Sequence, residues 1–137
     1  MDNLILVKPT IDLKEKALEY KKEHFDNGEQ IINGSALLDK LDYEDWIKHI
    51  EKSSNPNTVD ENWVDASTFF VLRELDKRII GMVDIRHRLN KFLAHFGGHI
   101  GYSVRPSERK KGYGTKILEK GLKYAKTINI RRVMLAC

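Results

Sequence analysis

The chain has 137 residues, of which 41% are hydrophobic and 32% charged, and these proportions are typical of one globular domain with one core. Its net charge of +4 favours an anionic partner, such as a nucleic acid, an acidic surface or a phosphorylated small molecule. The apolar runs are too short to span a bilayer, and no signal-type segment follows Met1. The single cysteine, Cys137, excludes an intrachain disulfide, and the five histidines lack metal-site spacing, so we expect a cytoplasmic protein without a bound metal.

The N-terminal half is predicted to contain one strand and two helices. In chain order, we predict a strand at 4–9, a helix at 12–25, a short helical turn at 35–41, a helix at 42–52 and a loop at 53–62. Asp12, with Glu15 three residues later, resembles a capping box that begins the first helix. The second helix is the clearer one, because Asp42 precedes it and its apolar residues repeat at i, i+3, i+4 and i+7.

The C-terminal half is predicted to be mainly strands. In chain order, we predict a hairpin of strands at 67–74 and 79–87, an irregular connection at 88–98, a strand at 99–104, a helix at 112–128 with Asn129 as its C-cap, and a strand at 131–137. The inward face of that helix is predicted to hold Ile117, Leu118, Gly121, Leu122 and Ala125. The order β–α–α–β–β–β–α–β predicts an α/β domain on a mixed sheet, and we expect it to occupy residues 1–137 as a single domain.

The stretch RKKGYGT (109–115) opens the last predicted helix and combines three cations with two glycines. The first amides of a helix lack intrahelical acceptors and carry partial positive charge. Gly112 and Gly114 would let an anion approach the backbone, so the loop suits a phosphate or pyrophosphate. The P-loop pattern fails because GYGTK has its residues in the wrong order, and the dinucleotide fingerprint fails because Ile117 stands at its third glycine. The alternative is a glycine-rich turn with solvated cations.

The segment VRPSERKKGYGTKIL resembles the acyl-CoA signature of the GNAT N-acetyltransferases, Arg/Gln-x-x-Gly-x-Gly/Ala, with Arg109, Gly112 and Gly114 at its fixed positions. The resemblance covers residues 4–137, and the stretch DIRHRLNKFLAHFGGHIGYSVRPSERKKGYG resembles one bacterial branch of mostly unassigned substrate. It implies the GNAT-like acyl-CoA N-acyltransferase fold, acetyl-CoA as co-substrate and a small-molecule or peptide amine as acceptor. The cofactor-binding residues that it implies are Tyr102, Ser103, Val104, Arg109, Lys110, Lys111, Gly112, Tyr113, Gly114 and Thr115.

The implied reaction needs a general base, because an ammonium group with a pKa of about 10.4 must lose a proton before its nitrogen attacks. Some family members place a glutamate at the position that matches Gly98, so the adjacent His99 is the first candidate base. Glu23, at the end of the first helix, is the second candidate. The alternatives are a structural sheet histidine and a solvated helix carboxylate. A backbone N–H near Val104 would stabilise the oxyanion.

Other side chains are candidates for the acceptor side. Three residues of the third strand are expected to line it: Asp84, Arg86 and His87. A plain basic surface is the alternative for Arg86, Arg88 and Lys91. Two aromatic residues of the second helix are predicted to be core rather than an acceptor cage: Tyr43 and Trp46.

In the family, the domain continues past the strand at 131–137 with a helix and usually two more strands, so we expect this chain to be a C-terminally incomplete domain. The resemblance places the leaving-group tyrosine on that helix. An uncovered sheet edge invites pairing, so we expect the chain to form a homodimer or to cover that edge in another way. Two other functions remain open: a CoA-binding fragment or pseudoenzyme without turnover, and a basic nucleic-acid-binding module. The interspersed acidic residues and the lack of a reader motif argue against the nucleic-acid module.

Overall fold

A computed structural model describes residues 3–90, 98–130 and 133 of the chain. Within this part, four strands form one sheet in the order β1-β2-β3-β4, and each neighbouring pair is antiparallel. The strands are β1 (Leu4–Val7), β2 (Ala66–Arg73), β3 (Ile79–Arg86) and β4 (Ile100–Val104). The helices are α1 (Lys14–Asp26), α2 (Tyr43–Ser53) and α3 (Tyr113–Thr127), and short 3₁₀ turns lie at Ile11–Leu13 and Pro106–Glu108. The α/β class is confirmed. The predicted strand at 131–137 falls almost entirely outside the described residues, so that strand, its edge and the dimer stay predictions.

The sheet has an apolar core on each face, since successive side chains of a strand point to opposite sides. Helices α1 and α2 cover one face, where Tyr20 and Trp46 pack against Phe70 and Met82. Helix α3 covers the other face, where Ile117 packs with Val83 and Ile100. The helix periodicity predicted this division correctly for α3, because its buried positions include Ile117, Gly121 and Ala125. Trp46 and Tyr43 belong to the core, as predicted.

Two local predictions at the N-terminal end were wrong. Helix α1 begins at Lys14, and Asp12 lies in the preceding 3₁₀ turn without capping the helix. The segment 35–41 forms hydrogen-bonded turns rather than a helix. Its backbone is left-handed at Ala36 and Leu37, with φ of 49° and 75°, and two left-handed residues cannot continue a right-handed helix.

Helix α3 ends one residue earlier than the predicted C-cap. Ile128 is the C-cap, and Asn129 follows in the left-handed conformation at φ 65°. The Asn129 amide donates to the Lys126 carbonyl, and the Ile130 amide donates to the Ala125 carbonyl. This pattern is a Schellman motif, in which asparagine tolerates the left-handed position better than most residues. No helix of the described residues is long and apolar enough to cross a membrane.

Candidate functional site

The loop that connects β4 to α3 has the backbone shape of an anion site. Lys110 and Gly112 are left-handed, with φ of 64° and 84°, and Gly112 is the N-cap of α3. A left-handed lysine costs roughly 1–2 kcal/mol, and strain of this kind concentrates at ligand sites. Because the helix begins at Tyr113, the amides of its first turn have no intrahelical acceptor. The loop therefore lies at the positive end of a helix, which favours a bound anion.

The cations of this loop are matched by acidic residues that sequence reasoning missed. The Arg109 guanidinium donates two hydrogen bonds to Glu29, at 2.6 and 2.7 Å, and a third to the Val104 carbonyl at 3.0 Å. Hydrogen bonds from Arg109 lower the pKa of Glu29 to about 2. Lys111 donates to the Glu108 carboxylate at 2.9 Å. Two of the three loop cations therefore fix the shape of the loop, while the exposed Lys110 makes no such pair with these carboxylates.

Glu108 is a buried carboxylate at the base of the loop, 5% exposed, and three cations surround it. Besides Lys111, Arg73 lies at 3.1 Å and Arg78 at 2.9 Å from its oxygens. Burial alone would raise the pKa of Glu108, but the hydrogen bonds from Lys111 and Arg73 outweigh it and lower that pKa. The Tyr113 hydroxyl also accepts a hydrogen bond from Arg73, and its ring is buried in the core.

Glu23 holds the 3₁₀ turn that precedes the loop. Its carboxylate accepts hydrogen bonds from Arg105 at 2.9 Å and from both the amide and the hydroxyl of Ser107, at 2.8 and 3.1 Å. Burial would raise the pKa of Glu23, but these hydrogen bonds lower it. A carboxylate with these partners is a poor proton acceptor at neutral pH, so the geometry favours a positioning role. Its assignment as a base stays a prediction.

The side chains on the two faces of strand β4 have different neighbours. Tyr102 is 38% exposed and, with Val104, lies next to Gly114 of α3, where a Cβ atom would be 3.8 and 3.7 Å from their side chains. On the opposite face, the Ser103 hydroxyl is hydrogen-bonded to the Tyr20 hydroxyl at 2.7 Å. Burial raises the pKa of Tyr20, which keeps its phenol protonated.

A cavity of about 480 Å³ opens on the α1/α2 side of the sheet. Its walls come from strands β2 and β3, helix α2, the loop before β2, the segment 31–39 and Asn90. Gly34 of that segment lies directly against Gly101 of β4. A volume of this size is typical of small-molecule sites.

The polar centre of the cavity is Asp84, 6% exposed and paired across the sheet with Thr68. The Thr68 hydroxyl donates to its carboxylate at 2.8 Å, and the Arg86 Nε lies at 3.8 Å. Burial raises the pKa of Asp84, and the opposing effects of Arg86 and Thr68 do not cancel it. His49 also lines the cavity; burial lowers its pKa, so its imidazole is neutral at pH 7. Within the described residues, its buried Nε2 has no hydrogen-bond partner.

The candidate base His99 and the acceptor-side candidate His87 do not line the cavity. His99 precedes β4 beside Arg86, where burial lowers its pKa, and it does not line the cavity. Its assignment as a base stays a prediction. His87 is hydrogen-bonded to Asp65 and to Ser67, both at 2.7 Å. The Ser67 hydroxyl in turn contacts the Tyr124 hydroxyl of α3 at 2.9 Å. This network links β2, β3 and α3, so it acts as a cross-link of the sheet.

Two further basic residues were predicted to lie on a basic surface or at the acceptor side: Arg88 and Lys91. Arg88 pairs with Asp65 at 2.8 Å and is exposed, which agrees with the basic-surface alternative for that residue. Lys91 lies outside the described residues. Within the part of the chain that the structure describes, no cluster of three or more histidine, cysteine or acidic residues has the arrangement of a metal site.

Comparisons with known proteins agree with this architecture. A sequence model of the acetyltransferase (GNAT) family matches residues 36–137. No curated protein matches the chain in sequence. Among solved structures, a protein from Bordetella pertussis described as a putative GnaT-family acetyltransferase has a TM-score of 0.62 at 10% identity, over 92% of this chain and 70% of that chain. An acetyltransferase of the GNAT family from Staphylococcus aureus Mu50 gives 0.53 at 18% identity, over 93% and 70%. The GNAT domain of S. lividans PAT gives 0.53 at 13% identity, over 93% and 67%.

The fold and the matched segment together define an acyltransferase. The likeness to the solved structures shows the fold, and the sequence match covers well over half of the chain, including the loop that begins α3. The chain therefore belongs to the acetyltransferase (GNAT) family. Its fold and family were both predicted from the glycine-punctuated segment 109–115 in its strand-to-helix setting.

Proposed function

We propose that this chain, acting as a single domain over residues 1–137, transfers an acetyl group from acetyl-CoA to a primary amine. The observation that carries the proposal is that two different sites flank the same strand. The candidate anion-binding loop follows the end of β4, and the cavity with its buried carboxylate lies near the start of β4, because Asp84 pairs across the sheet with Gly101.

The loop fits the phosphates of acetyl-CoA through its backbone. The amides of Tyr113, Gly114 and Thr115, together with Lys110, are the groups that would hold a pyrophosphate. Arg109 would act indirectly, because its contacts with Glu29 and Val104 fix the loop. The backbone of Tyr102–Val104 would bind the pantetheine arm, as the family resemblance implies. When bound, acetyl-CoA supplies a thioester carbonyl that an uncharged amine attacks, which yields an amide and the free thiol of CoA.

The cavity supplies the groups that can take the proton of the acceptor. An ammonium beside Asp84 would form an ion pair with a buried carboxylate, where the attraction is stronger than in bulk solvent. The neutral His49 ring, with its unpartnered Nε2, can accept the proton that the ammonium must lose before attack. That proton passes to solvent, and the second proton lost by the nitrogen is balanced by protonation of the CoA thiolate. Asp84 would therefore bind the ammonium, and His49 would act as the base.

The first test is equilibrium unfolding of the chain with and without acetyl-CoA. A ligand at 100 times its Kd raises the free energy of unfolding by about 2.7 kcal/mol. We expect this increase in the parent chain and in Gly112→Gln, and its loss in Gly112→Glu, because only the glutamate places a negative charge at the helix N-terminus. The glutamine variant is the matched control for the strain and bulk of a side chain at this left-handed position.

The second test is turnover, followed as release of the CoA thiol and as an N-acetylated product by mass spectrometry. Primary amines should give both signals, and His49→Gln should lower kcat by about 10²-fold or more. Binding of acetyl-CoA without thiol release across a broad set of amines would contradict the proposal and leave a CoA-binding protein without turnover. Equal loss of acetyl-CoA binding in both Gly112 variants would remove the argument from charge.

A further inference from the structure

The described residues of the cavity wall carry an excess of negative charge. Among them are two carboxylates, Asp39 and Asp84, against one guanidinium, Arg86, which gives a formal charge of −1 with His49 neutral. Arg86 already donates to the Gly98 carbonyl at 2.9 Å and lies near Asp84. Asp39 accepts the Ile32 amide at 2.7 Å. One added cation would balance the formal charge of −1, and Asp84, with Arg86 at 3.8 Å and Thr68 at 2.8 Å, is the buried carboxylate that it would meet.

The rest of the wall mixes apolar side chains with amides such as Asn33 and Asn62, and its rim exposes large hydrophobic side chains. Ile31 is 67% exposed and Trp63 is 42% exposed, although both belong to the cavity wall. The Trp63 ring packs edge-on against the His49 ring, with centroids 5.2 Å apart. Exposed apolar side chains that converge at a cavity indicate a binding surface, whereas single scattered ones do not. The indole face can also contribute a cation–π contact.

We propose that the acceptor is a monocationic primary amine with a compact apolar or aromatic body, its ammonium bound by Asp84 and its body packed against Trp63. This inference rests on the proposed function, because it names the substrate class of the same site. A second ammonium would exceed the formal charge of −1 that the described wall residues carry, and burying a charge without compensation is costly. A carboxylate on the acceptor would lie near Asp39 and Asp84, and like charges repel. Polyamines and amino acids are therefore disfavoured.

The test uses three compounds that each carry a primary amine and differ in charge. The probe is 2-phenylethylamine; phenylalanine adds a carboxylate to the same body, and 1,4-diaminobutane replaces the ring by a second ammonium. We expect the kcat/KM for 2-phenylethylamine to exceed that for each comparison amine by at least about tenfold, which corresponds to about 1.4 kcal/mol. Binding of each amine to the chain is measured separately by calorimetry, so the result does not depend on turnover.

Variants assign the two contacts. Asp84→Asn should weaken the binding of 2-phenylethylamine by at least about tenfold, while Asp45→Asn, an exposed aspartate on α2, should leave it unchanged. Trp63→Ala should raise the KM for 2-phenylethylamine several-fold and leave that for ethylamine nearly constant, because ethylamine lacks the body that reaches the indole. Circular dichroism of each variant checks that the fold is kept.

The outcomes separate this inference from the proposed function. If 2-phenylethylamine binds in an Asp84-dependent manner but no amine is acetylated, the substrate class stands and acetyl transfer fails. If phenylalanine or 1,4-diaminobutane is acetylated more efficiently, acetyl transfer stands and the substrate class is overturned. If 2-phenylethylamine neither binds at millimolar concentration nor is acetylated, the substrate class is also overturned.

Discussion

Replacing Gly34 by alanine perturbs the contact that fixes one wall of the cavity. Gly34 has a φ of 70°, and a Cβ added there would lie 2.4 Å from the Gly101 carbonyl oxygen and 2.6 Å from the Tyr102 Cα. Both neighbours are backbone atoms of strand β4, so they cannot turn away as a side chain would. The left-handed conformation costs an alanine about 1–2 kcal/mol, and the overpacking costs about 1–3 kcal/mol more. We therefore expect Gly34→Ala to lose about 2–5 kcal/mol of the free energy of unfolding.

The matched control is Gly28→Ala, because Gly28 has a similar φ of 80° but nothing within 4 Å of its added Cβ. This control should lose only the conformational part, about 1–2 kcal/mol. Urea unfolding at pH 7 measures both variants, and the difference between them isolates the contact with β4. Equal losses would refute the argument, since they would mean that the segment 31–37 moves away from β4 without cost. Gly34→Ala should also weaken amine binding, because Gly34 lines the cavity.

Three further predictions concern charge and loop shape. Burial raises the pKa of Asp84 in the folded chain above the ordinary aspartate pKa of about 3.9. The stability that its protonated form contributes is therefore present below about pH 3.9 and is lost as the pH rises through the pKa of the folded state. Asp84→Asn should therefore be more stable than the parent at pH 7 in urea unfolding, with an advantage that shrinks in acid. The pH dependence expected for Glu29 is the opposite, because Arg109 lowers the pKa of Glu29 to about 2. The stability that the Glu29 carboxylate adds is present above about pH 4.3 and is lost as the pH falls towards 2. The parent chain should therefore be more stable than Glu29→Gln at neutral pH, and this difference should vanish as the pH falls over that range. Gly114→Ala should gain up to about 1 kcal/mol in thermal unfolding because its added Cβ makes ordinary contacts in a helix, and a loss of more than 1 kcal/mol would contradict the geometry of the loop.

Much of the fold could be predicted from the sequence because its signals are local. The apolar spacing of α2 and α3 and the β-branched runs of the hairpin depend on residues within a few positions of each other, and these elements fall within one or two residues of their predicted bounds. The prediction for the segment 35–41 failed because its backbone conformation has no signal in the local sequence. Nothing in SALLDKL indicated that Ala36 and Leu37 would be left-handed.

The sequence did not predict the cavity, because the cavity depends on strand register. Asp84 and Arg86 were candidates for the acceptor side, but the partner Thr68 was not identified. A register irregularity between Val71 and Leu72 leaves Ile80 without a partner, so the pairing shifts by one along the hairpin. Counting back from the turn would place Thr68 opposite Val83 instead of Asp84, since a shift of one residue moves side chains to the other face.

The sequence by itself determined the class of the protein, because the signature in 109–115 and the periodicity around it are carried by neighbouring residues. Only the tertiary structure decided which groups meet. Glu29 neutralises Arg109 from 80 positions away, and Trp63 and His49 reach the cavity of Asp84 from a loop and a helix. Such contacts follow from packing and register rather than from local preference, and they turn a buried aspartate into the centre of a candidate acceptor site.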